Sequence, residues 1–561
     1  MRPPTSTTIW RRGARRLQTS LRRPLSTSTA EDWDVVIVGG GPVGLALASA
    51  LGSSQLVRER LRVALVEAGD LSKVHNWTPA NGSFSNRASS LTLKSQTFLK
   101  DTRAWEYVDE ERTCPIHNMQ VWDGVSNARI DFAASLLASN PPENGMARMT
   151  ENLNLQRGLL RHLDSIPVPI MDKTKVQLID HANDSDCWPL VHLDNGRILR
   201  SRLLVGADGL NSPVRAFAKI SSYGWAYDTQ AIVATMEHPV MAPNTTAYQR
   251  FLPTGPIAFL PISPIASSLV WSTKPSLAAA LIASGPLVLR SMINAAFRLP
   301  DVSMRYLNGL IIDAHASGIP ATHIQIQSEI SWRERSHGIQ ETSAYASAFV
   351  DTNKQGIPPT DSELLPPLVT SLQPGTVASF PLRFNHTDSY LGADQYSRTV
   401  LVGDAAHTVH PLAGQGLNLG LADVECLSRC IQNALLQGGD VGSHTALLPY
   451  AQERYLENHK VMSVMDKLHK LYSMSSEPVV WARSVGLEVV NELDSVKAAL
   501  MMEASGKQGL TSMWDLAAKR SENFAAASNA ATAIRTGISG FLGAGIQRVL
   551  KAAGTSLSDR K

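Results

Sequence analysis

Asp34-Val35-Val36-Ile37-Val38-Gly39-Gly40-Gly41-Pro42-Val43-Gly44-Leu45-Ala46-Leu47-Ala48-Ser49-Ala50-Leu51 decides the fold of this 561-residue chain. Its first five residues are a short β-branched run suited to a buried parallel strand, and its last seven suit a helix of apolar and small residues. Between them, three glycines stand at the spacing a dinucleotide site requires. Gly39 allows the tight turn, Gly41 lets a pyrophosphate approach the backbone, and Gly44 lets the helix pack close to the strand. The helix N-terminus then offers unpaired N–H groups and a partial positive charge to phosphates. A second strand, Arg62-Val63-Ala64-Leu65-Val66, ends in Glu67, whose carboxylate is placed to accept hydrogen bonds from ribose hydroxyls. A GxGxxG alone is weak. Framed by strand, helix and strand-terminal acid, it specifies a Rossmann-like domain while leaving NAD and FAD both open.

Two further segments separate those cofactors. Leu203-Leu204-Val205-Gly206-Ala207-Asp208-Gly209-Leu210-Asn211-Ser212-Pro213-Val214-Arg215 resembles the central Asp-Gly motif of the group A flavoprotein aromatic hydroxylases, and Thr399-Val400-Leu401-Val402-Gly403-Asp404-Ala405-Ala406-His407 resembles their later Gly-Asp motif. The resemblance implies FAD. It also implies that Asp404, with Gly403, bonds the ribitol and pyrophosphate region and that Asp208 and Gly209 support the cofactor. Arg87 then sits beside the dinucleotide and Gln156 near its phosphates. Pro411-Leu412-Ala413-Gly414-Gln415-Gly416-Leu417-Asn418 reads as a glycine-containing turn opening a helix. Backbone N–H groups at such a start would face the flavin N1 and O2 edge, where negative charge collects on reduction. Pro411, Gly414, Gln415 and Gly416 are the flavin-facing loop, with Leu417 and Asn418 beside them. His407 and His410 lack further nearby ligands, so no metal is expected. They are expected to pack and hydrogen-bond around the loop.

Between the motifs the chain resembles the ubiquinone-biosynthesis branch of that family. Met119-Gln120-Val121-Trp122-Asp123, Trp225-Ala226-Tyr227-Asp228 and Ala247-Tyr248-Gln249-Arg250-Phe251-Leu252-Pro253-Thr254-Gly255 carry the likeness. It implies hydroxylation, through a flavin C4a-hydroperoxide, at ring C5 of a polyprenylated hydroxybenzoate-derived phenol. It also implies electrons from ferredoxin and ferredoxin reductase, and partners among other coenzyme Q biosynthesis proteins at a membrane. Arg250, Phe251, Pro253 and Gly255 are the candidate substrate residues. An NAD(P)H-dependent hydroxylase of a small soluble phenol, and a flavin-stabilised scaffold, remain alternatives.

The expected architecture is α/β: a Rossmann-like FAD-binding domain over 31–110, 146–222 and 376–437, interleaved with a mostly antiparallel sheet over 111–145 and 223–375. An insertion is expected at 276–375, helices over 438–506, and a basic amphipathic tail over 507–561. Residues 1–30 hold seven arginines and no acid, the composition of a mitochondrial transit peptide. The composition implies a mitochondrial protein, and the resemblance implies a peripheral position on the matrix side of the inner membrane. The tail adds a net +5, so the overall +3 conceals a body of −9, which excludes nucleic acid as a partner. Four cysteines without CxxC spacing exclude a disulfide framework.

Overall fold

The computed structural model describes residues 30–501 apart from 127, 137–144, 183–186, 241–243, 341–342, 344–345, 347–364, 410–413, 475, 494–496 and 498–499. The basic leader up to residue 29, His410, Pro411 and the tail from 507 lie outside the described residues.

The glycine-turn segment folds as β1 (Glu31–Val38) and α1 (Pro42–Ser53), followed by β2 (Val63–Val66). Pro42 opens α1 because its fixed φ and missing N–H suit the first helical position, and Gly44 through Gly52 are all buried. β1 runs parallel to β2 on one side and to β3 (Ile198–Gly206) on the other. Thr399–Leu401 adds parallel to β3. Covered on both faces, these strands need continuous apolar runs, and Val35, Val36, Ile37, Leu203, Leu204 and Val205 are fully buried.

The second sheet runs in the order His407–Thr408, Ala378–Thr387, Ser222–Glu237, Ala266–Thr273, Gly255–Ser263, Thr246–Leu252, Asn118–Asp123, Arg129–Ala133. Its pairs are antiparallel except that of Thr246–Leu252 with Asn118–Asp123. The fold is therefore the expected dinucleotide domain interleaved with an antiparallel sheet. One face of that sheet, carrying Trp122, Ile232, Tyr248, Phe259 and Trp271, packs against four helices: α2 (Pro275–Ala283), α3 (Gly285–Arg298), α4 (Asp301–Ala316) and α5 (His323–Ser336).

These helices occupy most of the segment where an insertion into sheet was expected. Pro275-Ser276-Leu277-Ala278-Ala279-Ala280-Leu281-Ile282-Ala283 shows no polar stripe, because the positions it exposes, Ser276, Ala279, Ile282 and Ala283, are themselves small or apolar, and such a run does not reveal its period. Two boundaries also move. Ala378–Thr387, assigned from sequence to the FAD-binding domain, pairs along Ser222–Glu237 in the second sheet. Thr113–Ile116 joins Ala147–Glu151 and Ala88–Thr92 in a third sheet, so segments expected in different domains share hydrogen bonds.

The C-terminal part is helical: α6 (Gln415–Leu436), α7 (His444–Ser473) and α8 (Glu477–Glu492). α8 is fastened to the second sheet by a buried ion pair. Arg483 Nε donates to Asp123 Oδ2 at 2.6 Å and its Nη2 to Oδ1 at 3.0 Å. Among the described residues no helix is long and apolar enough to cross a membrane.

Candidate functional site

The site lies where the parallel strands end. Ala207 N donates to Val38 O at 2.8 Å and Val402 N to Gly206 O at 2.9 Å, which brings the loops after β1, β3 and Thr399–Leu401 side by side. The crevice outside the carboxyl ends of such strands is where open α/β sheets bind ligands.

The three fingerprint glycines have different physical reasons. Gly39 has φ +112, and a Cβ there would lie 2.3 Å from Ala207 O. A Cβ on Gly44 would lie 1.9 Å from Gly39 O. Gly41 has φ −69, open to any residue, and a Cβ there would meet nothing within 4 Å. Packing thus explains Gly39 and Gly44, whereas Gly41 faces space. Glu67 Oε2 accepts from Gly40 N at 2.5 Å and Oε1 from Gly69 N at 2.6 Å. A carboxylate has about four acceptor positions, so these two bonds orient it and leave the others available.

Asp208 Oδ2 accepts from Val214 N at 3.1 Å, while its Oδ1 is buried without a partner. Burial raises its carboxyl pKa, opposed by the Ser212 side chain and the Val214 N–H. An orphaned buried oxygen calls for a donor from a bound group. Gly209 follows at φ +78 with open space beside it. Asp404 is reached by solvent, yet enough protein surrounds it for burial to raise its carboxyl pKa, with His407 opposing. Arg215 ties the two motifs together, Nη1 donating to Ala405 O at 2.8 Å and Nη2 to Leu210 O at 2.5 Å.

α6 begins at Gly414, φ +61, with no side chain capping it. The N–H groups of Gln415, Gly416 and Leu417 therefore lack an intrahelical acceptor and form a small electropositive cradle. Asn418 differs from the expectation. Its Oδ1 accepts from Thr92 N at 3.0 Å and Ser95 Oγ at 2.8 Å, and its Nδ2 donates to Ser90 O at 2.7 Å and Gly414 O at 3.2 Å. With its amide fully engaged, it braces the helix start instead of meeting a ligand. The open cradle, the orphaned Asp208 oxygen and the space before Gly41 together fit FAD.

Arg87 is exposed at the head of Ala88–Thr92, and Gln156 is half-buried on the helix Asn152–Asp164. The candidate substrate residues need correction. Arg250 is 1% exposed, and its Nη1 donates to Ala296 O and Leu299 O at 2.9 Å each, its Nη2 to Gly124 O at 3.3 Å. Burial lowers its pKa to about 10. It joins the sheet to α3. Phe251 stacks on Tyr472, centroids 4.0 Å apart. Pro253 lies in the tight turn between two strands, and a Cβ on Gly255, φ +135, would lie 2.2 Å from Ser272 O. These positions build the sheet rather than line a substrate cavity.

Sequence reasoning missed Asp423, buried on α6. His407 Nε2 donates to its Oδ2 at 2.6 Å, and Arg454 Nε to its Oδ1 at 2.9 Å. Burial alone would raise its carboxyl, but His407, Arg454 and Asn458 hold it at about 2. No local pattern announces this, because the partners lie on other elements. Among the described residues no group of His, Cys, Asp and Glu could hold a metal ion.

Comparison with known proteins agrees with this geometry. Residues 32–276 and 333–464 match the family model described as FAD binding domain, and the gap coincides with most of α2–α5. The chain is 37% identical over 486 residues to "Ubiquinone biosynthesis monooxygenase COQ6, mitochondrial" of Saccharomyces cerevisiae, covering 85% of this chain and 94% of that protein. It is 32% identical to the protein of the same name from Homo sapiens over 493 residues, covering 87% and 95%. Among solved structures, p-nitrophenol 4-monooxygenase PnpA from Pseudomonas putida superposes with a TM-score of 0.58 at 16% identity, over 85% of this chain and 99% of that one. PqsL, a probable FAD-dependent monooxygenase from Pseudomonas aeruginosa, does so with a TM-score of 0.53 at 20% identity, over 82% and 99%.

Proposed function

Because the chain belongs to the FAD-binding family of aromatic hydroxylases and, within it, to the COQ6 ubiquinone biosynthesis monooxygenases, we propose that this FAD-dependent monooxygenase hydroxylates ring C5 of a polyprenylated hydroxybenzoate-derived phenol. Its electrons come from ferredoxin and ferredoxin reductase. It works in mitochondria, peripherally on the matrix side of the inner membrane, beside other coenzyme Q biosynthesis proteins.

The observation that carries the proposal is the meeting of three chain-distant loops, 39–44, 207–212 and 403–407, at one end of the parallel sheet. Bound FAD supplies the capacity to activate O2 and deliver one oxygen atom to an electron-rich ring. The chain's own groups bind and orient. Glu67 would take the ribose hydroxyls, the turn at Gly41 and the N-terminus of α1 the pyrophosphate, and Asp404 the ribitol and pyrophosphate region, with Asp208 supporting the cofactor. The N–H groups of Gln415, Gly416 and Leu417 would stabilise negative charge at the flavin N1 and O2 edge. Around them the second sheet, backed by α2–α5, excludes water from the reacting ring.

The test incubates the FAD-loaded full chain with a polyprenyl hydroxybenzoate analogue, ferredoxin, its reductase and NADPH under 18O2. The expected product carries one labelled hydroxyl at C5. Rapid flavin bleaching by NADPH alone, or labelling at another ring carbon, would overturn the donor or the position respectively.

A further inference from the structure

Asp423 stands two turns into α6 and is fully buried, away from any atom that the proposed chemistry consumes. Each of its oxygens accepts two hydrogen bonds. Oδ1 takes Arg454 Nε and Asn458 Nδ2, both at 2.9 Å, and Oδ2 takes His407 Nε2 at 2.6 Å and the main-chain N of Gly403 at 3.1 Å. Its acceptor positions are all filled.

The donors come from two places. Arg454 and Asn458 belong to α7, while Gly403 and His407 bracket the short 3-10 turn that carries Asp404. Asn458 is itself fixed: its Oδ1 accepts from Arg454 Nη2 at 2.5 Å, and its Nδ2 also donates to Tyr390 Oη at 3.1 Å. A carboxylate present only to neutralise Arg454 would have no reason to fasten both ends of a turn. Asp423 also shares a helix with the N–H cradle at Gln415–Leu417.

We propose that Asp423 is a positioning residue which locks the Asp404 turn to α6, so that the ribitol contact and the flavin-edge cradle are held at one fixed separation. Arg454 and Asn458 orient the carboxylate, and His407 is the strap across the turn. This rests on the FAD reading above. Supporting groups of this kind decide whether a binding constellation is held tightly enough to work.

The test measures FAD dissociation constants, visible flavin absorption and amide exchange in the full chain. Asp423→Asn is expected to weaken FAD at least tenfold, to shift the flavin band shape, and to speed exchange at Gly403 and Ala406 while β1 and β3 stay protected. Leu427→Ala, buried on the same helix, is the control for lost stability. Equal loss of FAD affinity in Asp423→Asn and Leu427→Ala at matched melting temperature would overturn the proposal. If Asp423→Asn does not fold, His407→Leu decides, because it removes the strap and leaves the Arg454 pair intact. Tenfold weakening by His407→Leu, recovered in His407→Gln, which restores a donor, supports the lock. FAD binding within twofold of wild type in His407→Leu overturns it. Wild-type protein that binds no FAD would instead sink the cofactor reading itself.

Discussion

Gly41 and Gly44 offer a direct separation of binding from folding, because the same added methyl group meets different surroundings at the two positions. In Gly44→Ala the new Cβ would stand 1.9 Å from the carbonyl oxygen of Gly39. Ordinary contact requires turn and helix to part by about 1 Å or more, and overpacking against backbone costs about 1–3 kcal/mol. In Gly41→Ala the Cβ meets nothing within 4 Å and φ is −69, so no strain arises. The poorer capping of Ala at this N-cap and the reduced freedom of the unfolded chain offset each other to within about 1 kcal/mol. The methyl group then occupies the approach of the pyrophosphate. FAD affinity should fall by about 100-fold, or about 2.7 kcal/mol. Calorimetric unfolding of the apoprotein and fluorescence titration with FAD measure the two effects separately. Gly44→Ala should lower the apoprotein midpoint by several degrees, while Gly41→Ala leaves it near wild type and loses FAD. The reasoning is refuted if Gly41→Ala lowers the midpoint as much as Gly44→Ala does, or binds FAD within threefold of wild type.

Three further outcomes follow from buried polar groups. Arg250→Leu should destabilise the protein by about 3 kcal/mol, because it strands the carbonyls of Ala296, Leu299 and Gly124; steady-state kinetics on the folded fraction should show an unchanged KM for substrate. His386 is fully buried, and burial, then His407 and His459, lower its pKa to about 4. The unfolded chain takes up that proton near pH 6.5 and the folded one only near 4. Stability is therefore complete above 6.5 and falls by about 3 kcal/mol as pH drops to 4, a slope that His386→Phe should remove from pH-dependent melting curves. Arg483→Met leaves Asp123 buried and unpaired at a cost of about 3–5 kcal/mol, and thermal unfolding should recover most of this in the Asp123→Asn/Arg483→Met double variant.

What could be read in advance was what is local. The strand, glycine turn and helix of 34–51 lie in one continuous stretch, and each piece has its own period, so β1, α1 and β2 follow from sequence. The Asp-Gly and Gly-Asp segments were visible for the same reason. α2 was not, because the face it exposes consists of Ser276, Ala279, Ile282 and Ala283, small or apolar residues that leave no polar stripe to mark it. Arg250 misled because an arginine in a distinctive motif looks like a ligand contact, and only the fold shows its guanidinium spent on carbonyls of α3. Asn418 misled in a related way, since the sequence does not distinguish an amide that faces a ligand from one that holds the helix behind it. Asp423 was silent because its partners at 403, 407, 454 and 458 converge only after three elements have packed.

The Asp123–Arg483 pair also sets an order in time. The two residues are 360 positions apart, and at about 5–20 residues per second a ribosome needs roughly 20–70 s to make the second after the first. Throughout that interval the strand Asn118–Asp123 exists without the cation that permits its last carboxylate to be enclosed. The end of that strand must stay wet until α8 arrives. The arrival of α8 is thus the closing event of a sheet begun 360 positions earlier, and assembly cannot be completed in the direction of synthesis alone.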